Sequence, residues 1–375
     1  MRDLRGRGVC LIDVPGQLLH RRIISGSSGV ITAPIRGVLF GLELIYGVGV
    51  RARNRYYDRF AAPTKIGVPV ISVGNITTGG TGKTPFVIEL IQRLDILGRS
   101  PAVVSRGYGS KGGAPNDETR LLGRHCPATP CVDDPDRIRG CETAHRRYGA
   151  DVIVLDDAFQ HRRIARDLDI VLIDATVPFG YGHLLPRGLL REPLRGLTRA
   201  DVVVVTRCNH VSATALARID DSLRSAAPGA TLLHCDHSVI GFERTDGTPI
   251  ADSPVGRRAI VFAGIGNPQA FVETVKMAGV DVVGTRFWRD HHRYRRSDID
   301  ALLTGRGFAP HDIMVTTEKD AVKLADIVGL DHANIVVVRA GIDFRDDGGT
   351  MLDDILERVV GHDEGDGQRQ KPVDR

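Results

Sequence analysis

Short apolar runs rich in β-branched residues recur along this 375-residue chain from about residue 67 onward, at 68–73, 101–104, 151–155, 169–173, 201–205 and 230–234. Segments with helical spacing lie between several of them, most clearly at 84–97 and 211–226. Apolar strands alternating with helices predict a parallel sheet covered on both faces. A second series follows Arg258, with runs at 259–263, 280–283, 313–315 and 335–338 and a helix over 268–278. Gly-Thr-Pro and Asp-Ser-Pro turns within 247–254 mark the junction. The expected organisation is a first α/β domain over 63–250 and a smaller α/β/α domain over 251–360.

The ends read differently. Residues 1–30 are mixed in character, with Gly-Ser-Ser-Gly at 26–29, and are expected to form a poorly structured extension. Residues 361–375 are charged and Gly-rich, the composition of a disordered tail. Between the extension and the first strand, residues 38–50 (VLFGLELIYGVGV) are apolar apart from Glu43. Arg51, Arg53, Arg55 and Arg59 follow, interleaved with Tyr56 and Tyr57. Thirteen helical residues reach only about 20 Å against a hydrocarbon core of roughly 30 Å, so this segment is too short to span a bilayer. Residues 31–62 therefore read either as an amphipathic helix lying on a membrane surface or as a buried helix with a basic end.

Composition narrows the function classes. An apolar fraction of 42% and a charged fraction of 26% are those of a soluble globular protein. The net charge of +4 is too small to argue for nucleic acid, and no nucleic-acid partner is expected. Seven of the 50 basic Lys and Arg residues are lysines, a bias most simply set by coding. The six cysteines are scattered without a C-x-x-C pair. Cys126 and Cys131 beside His125 lack the second pair a structural zinc site needs, which leaves reduced thiols.

The strongest chemical signal is the strand at 70–75 running into Ile76-Thr77-Thr78-Gly79-Gly80-Thr81-Gly82-Lys83-Thr84, with a helix after it. This is the layout of a P-loop. Glycines let the backbone approach a polyphosphate, the loop and helix N–H groups wrap it, Lys83 reaches the β/γ-phosphates and Thr84 takes a Mg²⁺ site. Thr77 stands where the usual pattern has Gly. The strand at 151–155 ends in Asp156 and Asp157, and a strand-end acid is the usual metal partner of the loop threonine. Gln160 and His161 follow within reach of a water or phosphate. Arg187 and Arg191 lie in a Pro- and Gly-bounded loop suited to phosphate contacts. Asp290-His291-His292 is a polar cluster suited to acid–base work. The sequence Thr206-Arg207-Cys208-Asn209 matches a guanine-reading signature only loosely, which favours ATP. A P-loop switch GTPase or metallochaperone is the rival class; it would make no phosphorylated product.

The ordered set GNITTGGTGKTP, SRGYG, NDETRLL, LDDAFQHRR, DIVLIDA, GLLREPL, FAGIGNP, DHHRY and TTEKDAVKL resembles the tetraacyldisaccharide 4'-kinase (lipid A 4'-kinase) family over residues 34–360. That resemblance implies two α/β/α domains around a cleft and an N-terminal membrane-associating helix. It implies transfer of the ATP γ-phosphoryl to the 4'-hydroxyl of a tetraacylated glucosamine disaccharide 1-phosphate, by a peripheral protein on the cytoplasmic face of the inner membrane. A monomer is expected. Residue by residue, it implies residues 77–84 as the ATP site, Asp117 as base with His291 as its partner, and Lys83 and Arg191 on the phosphates. Thr84, Glu118, Asp156 and Asp157 are implied on the Mg²⁺ side. Thr77 is then a family trait. Ala158, Asn116 and Thr119 depart from the family's usual Gly, Gly and Pro.

Overall fold

The computed structural model describes residues 10–12, 33–107, 116–303, 312–327 and 334–361. Among the described residues, twelve strands form one continuous sheet. Seven belong to the first half: β2 (Val70–Asn75), β3 (Pro101–Ser105), β4 (Cys131–Asp133), β5 (Val152–Asp156), β6 (Leu168–Asp174), β7 (Val202–Thr206) and β8 (Thr231–Glu243). All pair in parallel, in the order β8-β7-β6-β2-β5-β3-β4. The second half adds β1 (Cys10–Ile12), β9 (Arg258–Ala263), β10 (Asp281–Phe287), β11 (Ile313–Thr317) and β12 (Ile335–Phe344), in the order β1-β10-β9-β11-β12. The fold is thus a P-loop-type parallel α/β sheet extended by a smaller parallel α/β unit. Cys10–Ile12 lies along β10, so part of the expected unstructured extension is a strand; the rest of residues 1–32, and the tail from 362, lie outside the described residues.

The two halves share β8. Its first residues pair in parallel with β7, and Cys235–Glu243 pairs antiparallel with β12. Only 230–234 is legible as a strand in the sequence, because β8 goes on through Asp236-His237-Ser238, a polar run that breaks the apolar pattern.

Helices cover the sheet: α1 (Ala33–Arg59), α2 (Lys83–Ile96), α3 (Asp117–His125), α4 (Arg137–Tyr148), α5 (Ala213–Ala226), α6 (Pro268–Met277), α7 (Arg296–Leu303), α8 (Glu318–Leu324) and α9 (Gly348–Val360). Phe86, Leu90, Ile91 and Leu94 recur at helical spacing and seat α2 on Ile71, Val73, Val154 and Ile170. The last described helix, α9, returns to that same core through Leu352, Leu356 and Val360. Helix α9 therefore packs with the first half, although its sequence position groups it with the second. The second half has its own cores around Val261 and Val315 and around Phe262, Trp288 and Tyr294.

Helix α1 is turned inside out relative to an ordinary surface helix. Three of its polar side chains face the protein: Glu43 accepts from Leu184 N (3.0 Å) and pairs with Arg187 (3.1 Å), Tyr46 donates to Arg191 O (2.8 Å), and Asn54 donates to Glu192 (3.3 Å). Val38, Leu42, Leu44, Ile45 and Val48 are exposed. No helix among the described residues is long and apolar enough to cross a membrane.

Candidate active site

The strand ends of both halves open into one cleft of about 840 Å³. Residues 78–85 form one wall. The loop is braced through its carbonyl groups: Asn75 donates to Thr77 O (2.8 Å), Thr206 donates to Thr81 O (3.0 Å) and Arg207 donates to Gly80 O (2.9 Å). Gly82 caps α2 with φ 87°, and a Cβ there would fall 2.6 Å from the His237 ring, so both backbone and space demand glycine. Thr77 is buried and bridges Leu190 in extended backbone, away from the cleft lining, which is why it need not be glycine. Arg207 is a brace under the loop and Asn209 donates to His237 O (2.9 Å), so the stretch that faintly resembled a guanine reader is occupied in supporting the P-loop.

Lys83 reaches Asn75 Oδ1 and Asp157 Oδ1, each at 3.4 Å. Arg191 grips both oxygens of Asp157, at 2.8 and 3.0 Å. Asp157 itself has φ 50°, and cleft-lining Arg207 and His291 have φ 58° and 59°; left-handed backbone at non-glycine residues concentrates where function holds it. Burial pushes the Asp157 carboxyl up, but Lys83 and Arg191 outweigh it and the group ends below the ordinary carboxylate range. Asp156 differs sharply. Burial, reinforced by the charges of Glu118 and Asp157, pushes it up to about 7 against the pull of Lys83. Its Oδ1 is buried without a hydrogen-bond partner. Arg137 donates to the backbone oxygens of both aspartates (3.0 and 3.3 Å). Gln160, read as a water or phosphate holder, spends its amide on Asn75 O and Glu192, each at 2.9 Å. His161 lines the cleft, its imidazole pushed down to about 4 by burial and four arginines.

On the same half as the P-loop, Asp117 opens α3. Asn116 caps that helix by accepting from Thr119 N (2.8 Å), and Thr119 Oγ1 donates to both oxygens of Asp133 (3.1 Å), so the two residues that depart from the family pattern hold the turn with side chains. Asp117 Oδ2 lies 3.4 Å from His291 Nδ1. Burial raises the Asp117 carboxyl, but the His291 hydrogen bond and the charges of Lys323, His291 and Lys319 more than compensate and hold it below its ordinary value. Glu118 pairs with Lys319 (3.2 Å), whose Nζ also stands 3.4 Å from His291 Nε2. Lys319 and Lys323, in the EKDAVKL stretch, carried no assigned role in the sequence; the motif was visible, but not what it faces some 200 residues upstream.

The halves also touch at the P-loop. Asp174 accepts from Arg207 on one side and from Asn267 (2.9 Å) on the other, and Asn267 also donates to Thr176 (3.0 Å). A Cβ on Gly266 would lie 2.4 Å from Gly80 N.

A family model described as tetraacyldisaccharide-1-P 4'-kinase (LpxK) matches residues 35–359. The tetraacyldisaccharide 4'-kinase of Syntrophus aciditrophicus is 41% identical over 320 residues, covering 78% of this chain and 85% of that protein. The protein of the same name from Halothermothrix orenii is 34% identical over 368 residues, covering 90% and 96%. A crystal structure of LpxK from Aquifex aeolicus in complex with ATP aligns with a TM-score of 0.65 at 27% identity, over 87% of this chain and 99% of that one.

Proposed function

The chain belongs to the tetraacyldisaccharide 4'-kinase family, and from that premise we propose how its residues divide the work of moving the ATP γ-phosphoryl to the 4'-hydroxyl of a tetraacylated glucosamine disaccharide 1-phosphate. The chain is an ATP-dependent lipid A 4'-kinase; a switch GTPase is set aside by that membership. One observation carries the division of roles. The P-loop, Asp156 and Asp157 of one half and His291 of the other line a single cleft, and His291 reaches back across the interface to Asp117 of the first half.

Phosphoryl transfer needs positioning and neutralisation of charge more than covalent chemistry. Lys83 and Arg191 supply cations to the phosphates, and Asp157 holds both in place. This favours Asp156 over Asp157 as the metal carboxylate. The orphaned, buried Oδ1 of Asp156 and its repulsion with Glu118 fit a divalent cation held with Thr84. Bound there, Mg²⁺ neutralises charge on the transferring phosphates. Asp117 accepts the hydroxyl proton late, with His291 fixing the carboxylate. A depressed pKa keeps Asp117 ionised at neutral pH, as a base must be. A second reading makes His291 the acceptor and Asp117 its orienter, favoured by the imidazole's place in the cleft wall.

The outward apolar face of α1 supports a resting place on the membrane surface beside a lipid substrate. The test is a kinase assay with [γ-³²P]ATP and the disaccharide lipid. Asp117→Asn and His291→Ala each lower kcat by about 10²–10⁴-fold while ATP binding holds. Near-normal turnover in both variants sinks the assignment, and a much larger loss for His291→Ala selects the second reading.

A further inference from the structure

We propose that Lys323 is a positioning residue for the Asp117 carboxylate, locked in place by a buried ion pair with Asp320. The inference rests on Asp117 acting as the base. Lys323 lies on α8 with its side chain 6% exposed. Its Nζ stands 2.6 Å from Asp320 Oδ1, 3.9 Å from Asp117 Oδ2 and 5.4 Å from the centre of the Tyr294 ring. Asp320 is fully buried, and its Oδ2 accepts from Gly264 N (3.0 Å) and Thr317 Oγ1 (2.9 Å). Thr317 Oγ1 in turn caps α8 by accepting from Asp320 N (3.1 Å).

An ion pair this deep is a poor way to stabilise a fold, since apolar residues of like volume serve as well or better. What it does provide is an ammonium 3.9 Å from the oxygen of Asp117 that already faces His291 Nδ1 at 3.4 Å. Two cationic or donor groups on the same oxygen set the rotation of the carboxylate. The register matches: Lys319 and Lys323 sit at i and i+4 on one face of α8, and they meet Glu118 and Asp117, the adjacent acids that open α3. The composition points the same way. Lysine is rare in this chain, yet of the seven, Lys83 and Lys319 line the cleft and Lys323 stands just behind it, beside Asp117. A compact point charge on a thin stem fits between Asp320, Tyr294 and Asp117, where a planar guanidinium would need more room.

The test replaces the pair by a neutral one of similar shape, Lys323→Met with Asp320→Asn, so that no lone charge is left buried. Expected is a fall in kcat of about 10–100-fold, the scale on which outer partners of a functional carboxylate or imidazole act. The KM values for ATP and lipid should stay within about twofold, because no substrate contact is removed. Added to Asp117→Asn, the double change should cost nothing further, since both act through one carboxylate. A kcat near wild type, or a loss that multiplies in full on Asp117→Asn, overturns the proposal. If the neutral pair does not melt cooperatively, Lys323→Ala is assayed with added methylammonium: recovery of kcat supports the role and its absence refutes it. A fully active Asp117→Asn would instead remove the base assignment itself.

Discussion

Gly266→Ala is the sharpest structural test of whether the two halves must meet for catalysis. The added Cβ would stand 2.4 Å from Gly80 N, 3.0 Å from Gly79 C and 3.2 Å from Gly79 Cα. Ordinary contact needs about 3.5 Å, so the loop before α6 must withdraw by roughly 1 Å. All three neighbours are backbone, so no side chain can rotate aside. Gly266 is absent from the positive-φ residues, and alanine therefore brings no conformational strain of its own. The clash is relieved most cheaply by parting the halves at the cleft, because each half keeps its own apolar core. Melting should stay close to wild type, helped by the about 0.4–1 kcal/mol that Gly→Ala removes from unfolded-state entropy. Turnover should not survive so well: a 1 Å misplacement of catalytic groups costs about 10²-fold, or about 2.7 kcal/mol. The assay is kcat/KM for the lipid at saturating ATP, beside a thermal melt of the same preparation. A folded variant with kcat/KM within about threefold of wild type would show that the Gly80–Gly266 approach is dispensable.

Two further outcomes are expected. Ile45 and Val48 on the outer face of α1 are 72% and 64% exposed, and each side chain is worth about 1–2 kcal/mol if it enters an apolar phase. Ile45→Glu with Val48→Glu should therefore cut co-sedimentation with anionic vesicles by tenfold or more and leave activity on detergent-dispersed lipid intact; undiminished co-sedimentation refutes the membrane-surface role. Asp156 is raised above its unfolded value, so its sign runs opposite to a salt-bridged carboxylate. Stability is full below the ordinary carboxylate pKa, falls as pH rises and is lost above about 7. Asp156→Asn in EDTA at pH 8 should melt a few degrees higher than wild type, a gain on the order of 2–4 kcal/mol that shrinks toward pH 5; a lower melting temperature at pH 8 contradicts it.

What could be read in advance was local. The P-loop, the acids closing β5 and the apolar strands each announce themselves within a dozen residues, because strand burial and phosphate cradling are short-range requirements. What escaped depends on partners far away. Helix α9 joins the core of α2 from over 250 residues down the chain, and nothing in its own pattern names that destination. Asp156 and Asp157 are indistinguishable as a dipeptide; only the left-handed turn at Asp157 sends one carboxylate to Arg191 and leaves Oδ1 of its neighbour buried without a donor. Asn116 looked like a departure at a loop and proves to be a helix cap, a role its residue type permits but only geometry reveals.

The same distinction explains how α3 is mounted. Its apolar side enters the first half's core through Leu122. Its charged side faces α8 and the turn after it: Asp117 to Lys323, Glu118 to Lys319, His125 to Glu318 at 2.6 Å, and Arg120 to both oxygens of Asp326 at 2.7 and 2.9 Å. The exposed Arg120–Asp326 pair contributes about 0–1 kcal/mol and the more buried pairs regain water on parting, whereas pulling a leucine from a close-packed core costs about 2–5 kcal/mol. Any movement that parts the halves therefore breaks the polar seam and leaves α3 on the first half. Asp117 stays with the nucleotide wall, while His291, Lys319 and Lys323 leave with the other. The groups that orient Asp117 face it only while the seam is closed, so the proposed base is held in place for its task when the two walls of the cleft are together.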